Sequence, residues 1–456
     1  MPSHPHSPRG TLLASATGFA VVLLDVSVVN VALEALRQEF STDIAGLQWV
    51  VNAYTLAFAA LLLTSGALGD RIGARRMFLG GFTLFTLSSL LCSLANSLEL
   101  LIAARLVQGV GAALLVPNSL SMLQKAFQHV EARNRAVGWW GAVGALSLAA
   151  GPVLGGILVT HLGWRSIFLV NLPIGIIGIF LTLRHAARDG AGHQRSLDWP
   201  GQAAAALALA TLTASLIEAG TRGWGNTWVQ AGLLTFVLAL GSFLWIESHT
   251  KAPMLPLALF RVPMFTVSSV SGVVVNFAYY GLVFVLSLFF QIQQQLSPQQ
   301  AGFAFLPMTI VLIGANIVAG RLITRLGARR LMVLGLSLAS VGYLLMLLAS
   351  LDGRYALLIV PMLMAGSGIA LTIPTMTNAT LSSVDQSRAG IASGVLNSAR
   401  QVGGMLGVAV FGYLVRDTAT QAFMRGMYAA MGLAVMALAF GAFLCLIGMP
   451  KTPRHT

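Results

Sequence analysis

Fourteen long apolar runs joined by short polar loops leave this chain almost no way to fold in water. They cover about residues 11–34, 45–69, 77–97, 99–121, 137–160, 166–184, 200–218, 228–247, 265–290, 301–320, 330–350, 355–378, 390–414 and 425–448. Each approaches the roughly 20 residues that a helix needs to cross about 30 Å of hydrocarbon. In lipid a helix satisfies its own backbone polar groups, so it is the form such a run takes. Only 9% of the 456 residues are charged, against about 25% in a soluble domain. The sequence predicts an all-α polytopic membrane protein with fourteen transmembrane helices.

Charge then orients the chain. With an even number of crossings both termini lie on one side. Nineteen Lys and Arg fall in loops and tails on that side, six on the other, and two, Arg105 and Arg400, within runs. That bias predicts cytoplasmic termini and a multi-pass protein of the cell (inner) membrane. The net charge of +13 would suit nucleic acid on a soluble domain, but here it is scattered through short loops, so no nucleic-acid partner is expected. Cys92 and Cys445 lie within apolar runs and read as small buried hydrophobes. No histidine falls mid-run and none of the three lysines follows a glycine. Metal, haem and a phosphate-binding loop therefore have no residues to rest on, and neither a cofactor nor an enzyme activity is expected.

The chain also repeats itself. "GALGDRIGARR" (66–76) returns as "GRLITRLGARR" (320–330), an offset of 254. "GVGAALLVP" (109–117) returns as "GSGIALTIP" (366–374), and Arg135-Ala136 as Arg388-Ala389. Runs 1–6 thus resemble runs 9–14, and runs 7 and 8 stand outside as an inserted pair. The expected organisation is a six-helix half over 1–190, the inserted pair over 191–255 and a second six-helix half over 256–456. Duplicated halves of this kind place a substrate path between them.

Charge inside the membrane is costly and points to function. Asp25 is the one acid deep within a run. Burial penalises its charged form, which suits a reversible proton site facing a cavity; Glu218, at a run end, is the second and weaker candidate. Arg105 and Arg400 are the two embedded cations and are expected at the substrate cavity, where Arg105 can stabilise a charged Asp25 or restrain proton movement. Asp70, with Arg71, Arg75 and Arg76, sits at the edge of run 2, where an acid can pair with arginines or cap a neighbouring helix and hold a gate. Thr324 stands where the repeat would put that acid. In run 5, Gly141, Gly144, Gly151 and Gly155 form one smooth stripe for close helix approach, and Pro152 permits a bend. Polar and aromatic residues able to line a cavity are Asn30, Trp49, Asn52, Tyr54, Asn276, Tyr279, Tyr280 and Gln291, with aromatic faces suited to lipophilic cations.

Taken in order, these strings resemble the major facilitator superfamily, and within it the fourteen-span drug/proton antiporters. "LDVSVVNVAL" (24–33), "GALGDRIGARR", "RLVQGVGAA" (105–113), "GPVLGG" (151–156) and "GWRSIFLVNLPIG" (163–175) carry the resemblance. It implies two six-helix bundles plus two extra helices. It also implies an antiporter motif at Gly151, Pro152, Gly155 and Gly156, and a role for Asn171. The implied activity is export of small lipophilic, cationic drugs or toxic compounds in exchange for protons, by a monomer in the bilayer using alternating access. A dedicated exporter of one endogenous metabolite or antibiotic is the alternative, and a polytopic membrane enzyme a more distant one.

Overall fold

The computed structural model describes residues 7–189, 198–250, 253–350, 354–385 and 388–450. The expected 190/191 boundary and the basic residues Arg195, Lys251, Lys451 and Arg454 lie outside the described residues. The chain runs as α1 (Pro8–Glu39), α2 (Ile44–Ile72), α3 (Ala74–Ser93), α4 (Leu98–Ala126), α5 (Val130–Leu162), α6 (Ser166–Leu169) and α7 (Asn171–His185). Then come α8 (Trp199–Arg222), α9 (Thr227–His249), α10 (Pro263–Leu288), α11 (Pro298–Ala304) and α12 (Leu306–Ser350). The last three are α13 (Tyr355–Ser382), α14 (Ala389–Leu414) and α15 (Thr420–Gly448). Side chains in the loops start several of them: Ser7, Asp43, Ser97, Asp198 and Asn226 each accept from a first-turn backbone N–H.

Twelve described helices are long and apolar enough to cross a membrane. The expected fourteen is therefore not reached by length and hydropathy alone. The run at 390–414 is helical as α14, but Ser393, Asn397, Ser398, Arg400 and Gln401 dilute its apolar character. The run at 301–320 is divided between the seven-residue α11 and the start of α12. Runs 10 and 11 were expected as separate helices. α12 carries them as two helical segments separated at Gly327, whose non-helical φ of 76° and ψ of 160° break the stretch.

Two groups of helices form. In the first, α1 packs on α4, α5 and α7, while α2 and α3 pack on α4. In the second, α10 packs on α13, α14 and α15, while α12 packs on α13 and α15. Equivalent contacts recur at the offset seen in the sequence. A Cβ on Gly109 would lie 2.3 Å from the Tyr54 carbonyl oxygen, and one on Gly366 2.5 Å from that of Met308. Gly111 approaches the Phe85 amide nitrogen to 2.8 Å in the same sense, and Gly368 that of Ala339 to 2.4 Å. Only a residue without a side chain lets two helix backbones come this close.

The groups meet where α5 touches α11 and α12, α2 touches α14, and α1 touches α10. On the side where α1 ends the seam is tight. Gln48 donates to the carbonyls of Val408 and Ala409 at 2.9 and 2.6 Å. Ser287 donates to the Asn30 carbonyl, and the Gln299 amide to Thr160 Oγ1 at 3.0 Å. α8 lies across α2 and α14 and pairs with α9. The outer surface of α9 carries exposed Trp228, Leu234, Val237, Leu238 and Trp245, an apolar face suited to lipid.

Candidate transport site

Asp25 sits on the interior face of α1, fully buried. Its Oδ2 accepts from Arg105 Nη1 on α4. Its Oδ1 accepts from Gln108 Nε2 and from Asn171 Nδ2, each at 2.9 Å. Gln108 and Asn171 both donate onward to Ser89 Oγ on α3, at 3.2 and 3.0 Å. Arg105 also donates to Gln108 at 2.8 Å and, through Nε, to the Val50 carbonyl at 3.2 Å. The Tyr54 ring lies 4.3 Å from its guanidinium carbon. One carboxylate and one guanidinium thus join α1, α2, α3, α4 and α7. Such charges are tolerated in a low-dielectric interior only when paired and hydrogen-bonded, as they are here.

A cleft lies between the two groups of helices. Ser27, Asn30, Leu148 and Pro152 line it from one side, and Tyr279, Tyr280, Val283, Phe305, Met308 and Thr309 from the other. Asp25 is not part of that wall. At about 100° per residue, it stands roughly 200° around α1 from Ser27 and 140° from Asn30. The expectation that Asp25 faces the cavity is therefore corrected: α1 turns Ser27 and Asn30 to the cleft and Asp25 to the bundle interior.

The other expected cavity residues divide in the same way. Asn30, Tyr279 and Tyr280 line the cleft. Tyr54 covers Arg105 instead. Asn52 is buried on α2, and neither its Nδ2 nor its Oδ1 has a hydrogen-bond partner. Trp49 donates to Glu218 Oε1 at 3.2 Å, which ties α2 to α8, and Arg222 closes the same acid at 2.7 Å. Asn276 and Gln291 turn back onto their own helix, donating to the carbonyls of Gly272 and Ser287 at 2.8 and 3.3 Å. Arg400, like Asp25, is not among the cleft-lining residues; its Nη1 lies 3.5 Å from Asn397 Oδ1.

In the glycine stripe of α5, Gly151 and Gly155 face Ser27 and Val28 of α1. Gly156 faces the other group: a Cβ there would come within 2.5 Å of the Pro298 carbonyl oxygen. Gly302 approaches the Pro152 carbonyl oxygen to 2.3 Å in return.

At the opposite end, Asp70 and Arg71 are exposed. Asp189, in the segment after α7, caps α3 by accepting from the Arg75 and Arg76 amides at 3.1 and 3.0 Å. The repeated arginines share one task. Arg75 donates to the Leu183 carbonyl at the end of α7, at 3.2 Å, and Arg329 to the Leu446 carbonyl at the end of α15. Each places a cation at the negative end of a helix dipole.

Sequence reasoning missed Asp189, Gln108 and Ser89. Gln108 had a signal, since it follows Arg105 by three residues and so shares its helix face. Asp189 and Ser89 had none, because each meets its partners only through tertiary packing.

Comparison with known proteins agrees with this architecture. Residues 15–408 match the Major Facilitator Superfamily. A methylenomycin A resistance protein of Streptomyces coelicolor is 40% identical over 412 residues, covering 90% of this chain and 86% of the relative. The multidrug resistance protein Stp of Mycobacterium tuberculosis is 36% identical over 402 residues, covering 88% of this chain and 75% of that one. A tetracenomycin C resistance and export protein of Streptomyces glaucescens is 34% identical over 411 residues, covering 90% and 76%. The fold is shared with a crystallised D-xylose-proton symporter, with a TM-score of 0.71 at 12% identity over 98% of both chains. The helical architecture, the family match and these relatives lead to one conclusion: the chain is a multi-pass membrane transport protein and belongs to the Major Facilitator Superfamily.

Proposed function

We propose that this protein exports small lipophilic compounds across the cell (inner) membrane in exchange for protons, as a monomer with both termini in the cytoplasm. The relatives named for drug or antibiotic resistance and export support the export direction. Fourteen crossings, in two six-helix halves with α8 and α9 between them, are part of this reading. The limits remain 1–190, 191–255 and 256–456, and the glycine contacts that recur between halves support them. The polar α14 and the α11–α12 segment supply the two crossings beyond the twelve apolar helices.

The observation that carries the coupling is the Asp25–Arg105 pair behind the cleft wall. It clamps α1 to α4, and α1 also supplies Ser27 and Asn30 to the cleft. A proton on Asp25 removes the charge that holds the clamp and frees α1 to shift. Coupling then runs through the helix: proton binding and substrate binding each bias the same two-state element. Glu218, held by Trp49 and Arg222, remains a second acid whose main task is to anchor α8.

The cationic preference expected from the sequence needed an unpaired carboxylate and an aromatic cage at the cleft. Tyr279, Tyr280 and Phe305 supply aromatic faces at the cleft, but Asp25 is paired and turned away, so no carboxylate stands among the lining residues and that preference is not carried forward. The breadth of substrates separates a multidrug exporter from a dedicated one.

Proteoliposomes containing the purified protein test the reading. Substrate movement that follows an imposed pH gradient, and stops when the gradient is collapsed, is the expected result. Movement indifferent to the gradient would refute proton exchange while leaving transport intact.

A further inference from the structure

We infer that Arg400 is the anion-binding group of the cleft, so that the preferred substrates carry a carboxylate or a comparable organic anion. This rests on the export reading above and names the substrate class for it. Arg400 lies near the middle of α14, and its stem packs on α10, where a Cβ on Gly272 would come within 3.3 Å of its Cγ. Arg400 is not itself one of the lining residues of the cleft; Tyr280, on α10, is. The Tyr280 ring is in turn packed over Gly404, one turn further along α14.

Arg400 differs from Arg105 in what compensates it. Arg105 holds a carboxylate, an amide oxygen and a backbone carbonyl. Arg400 has one long contact to a neutral amide, Asn397 Oδ1 at 3.5 Å, and its buried Nε has no acceptor. Among the described residues no acid forms an ion pair with it. An unpaired guanidinium at membrane depth is unfavourable and calls for a counter-charge. Its planar fork of donors matches a carboxylate, which can accept two parallel hydrogen bonds.

The remaining polar side chains at the cleft, Ser27, Asn30, Tyr279, Tyr280 and Thr309, are neutral hydrogen-bonding groups. They can orient a ligand without setting its charge. Asp25 is already paired with Arg105 and is not among the cleft-lining residues. A cationic substrate would therefore meet an uncompensated positive charge, whereas an anionic one supplies the missing partner.

The test uses the full-length protein and several aromatic scaffolds, each prepared as a carboxylate, a carboxamide and an alkylammonium of matched size. Binding is read by thermal shift of the purified protein, and movement by proteoliposome uptake. The carboxylates should bind at least about tenfold more tightly than their amide and ammonium partners. Arg400→Gln should abolish that preference, and Arg400→Lys, which keeps the charge but loses the fork, should retain part of it. A folded Arg400→Gln protein that still prefers carboxylates, or a parent that prefers ammonium probes, overturns the anion site and leaves export standing. If the parent moves no scaffold in any charge form, the export reading itself fails and takes this one with it. Should Arg400→Gln not fold, Arg400→Lys decides: an unchanged carboxylate preference there removes the fork from the argument.

Discussion

Arg105 on α4 and Asp25 on α1 form an ion pair in which neither side chain is more than 1% exposed. Gln108 and Asn171 complete the carboxylate's hydrogen bonds, and Tyr54 covers the guanidinium face. The pair binds helices that are far apart in sequence, and one of them forms part of the cleft. Asp25 thus shares α1 with Ser27 and Asn30, which line the cleft.

Asp25→Asn should abolish substrate-induced proton release and also lower stability, because it leaves Arg105 buried and uncompensated. Removing one partner of a buried pair costs about 3–5 kcal/mol. Combining Asp25→Asn with Arg105→Met should recover much of the melting temperature without restoring proton release. If the single variant releases as many protons per substrate as the parent, the coupling acid lies elsewhere.

Gly156→Leu or Gly302→Leu should wedge the seam between α5 and α11. Neither position has room for a Cβ, given approaches of 2.5 and 2.3 Å to backbone oxygens. Overpacking of this kind costs about 1–3 kcal/mol, enough to shift a two-state equilibrium by roughly 5- to 150-fold. Cysteine reporters at Asn30 and Ser287 should become more reactive to a polar maleimide added from the α1-terminal side. Unchanged labelling would show that this seam does not open in the transport cycle.

Asp189→Ala should remove the cap of α3 and cost about 0.5–2 kcal/mol. The loop from Asp70 to Arg76 would lose its hold on the segment after α7. Transport should slow in this variant and in Asp70→Asn, with both proteins still inserted and monodisperse. Turnover equal to the parent in both would exclude a gate role for this end of the molecule.

Glu218→Gln should leave the proton-to-substrate ratio unchanged. Its contacts to Trp49 and Arg222 are half-exposed, and pairs of that kind contribute about 0–1 kcal/mol. Hydrogen exchange in α8 should rise modestly near that end. A lost or halved proton ratio would instead make Glu218 a coupling acid.

Much of this was legible in one dimension. Burying a backbone in lipid demands helices, so hydropathy alone announced the class of fold. The duplicated strings reappear as equivalent packing, because equivalent helix crossings need glycine at equivalent places, as at Gly109 and Gly366. A lone acid in an apolar run was enough to single out Asp25. What the chain could not state was direction. Helical periodicity says that Asp25 and Ser27 point apart, but not which of them faces the cleft. That is decided by which helices pack on each side of α1. The same holds for the two embedded arginines, which look alike in sequence. Packing brings α1 to Arg105 with a carboxylate, which Asn171 of α7 hydrogen-bonds in turn, whereas among the described residues no acid pairs with Arg400 and its one hydrogen bond is the long contact to Asn397. Whether a buried charge is compensated depends on side chains contributed by distant segments, so only the tertiary structure distinguishes the clamp from the open cation.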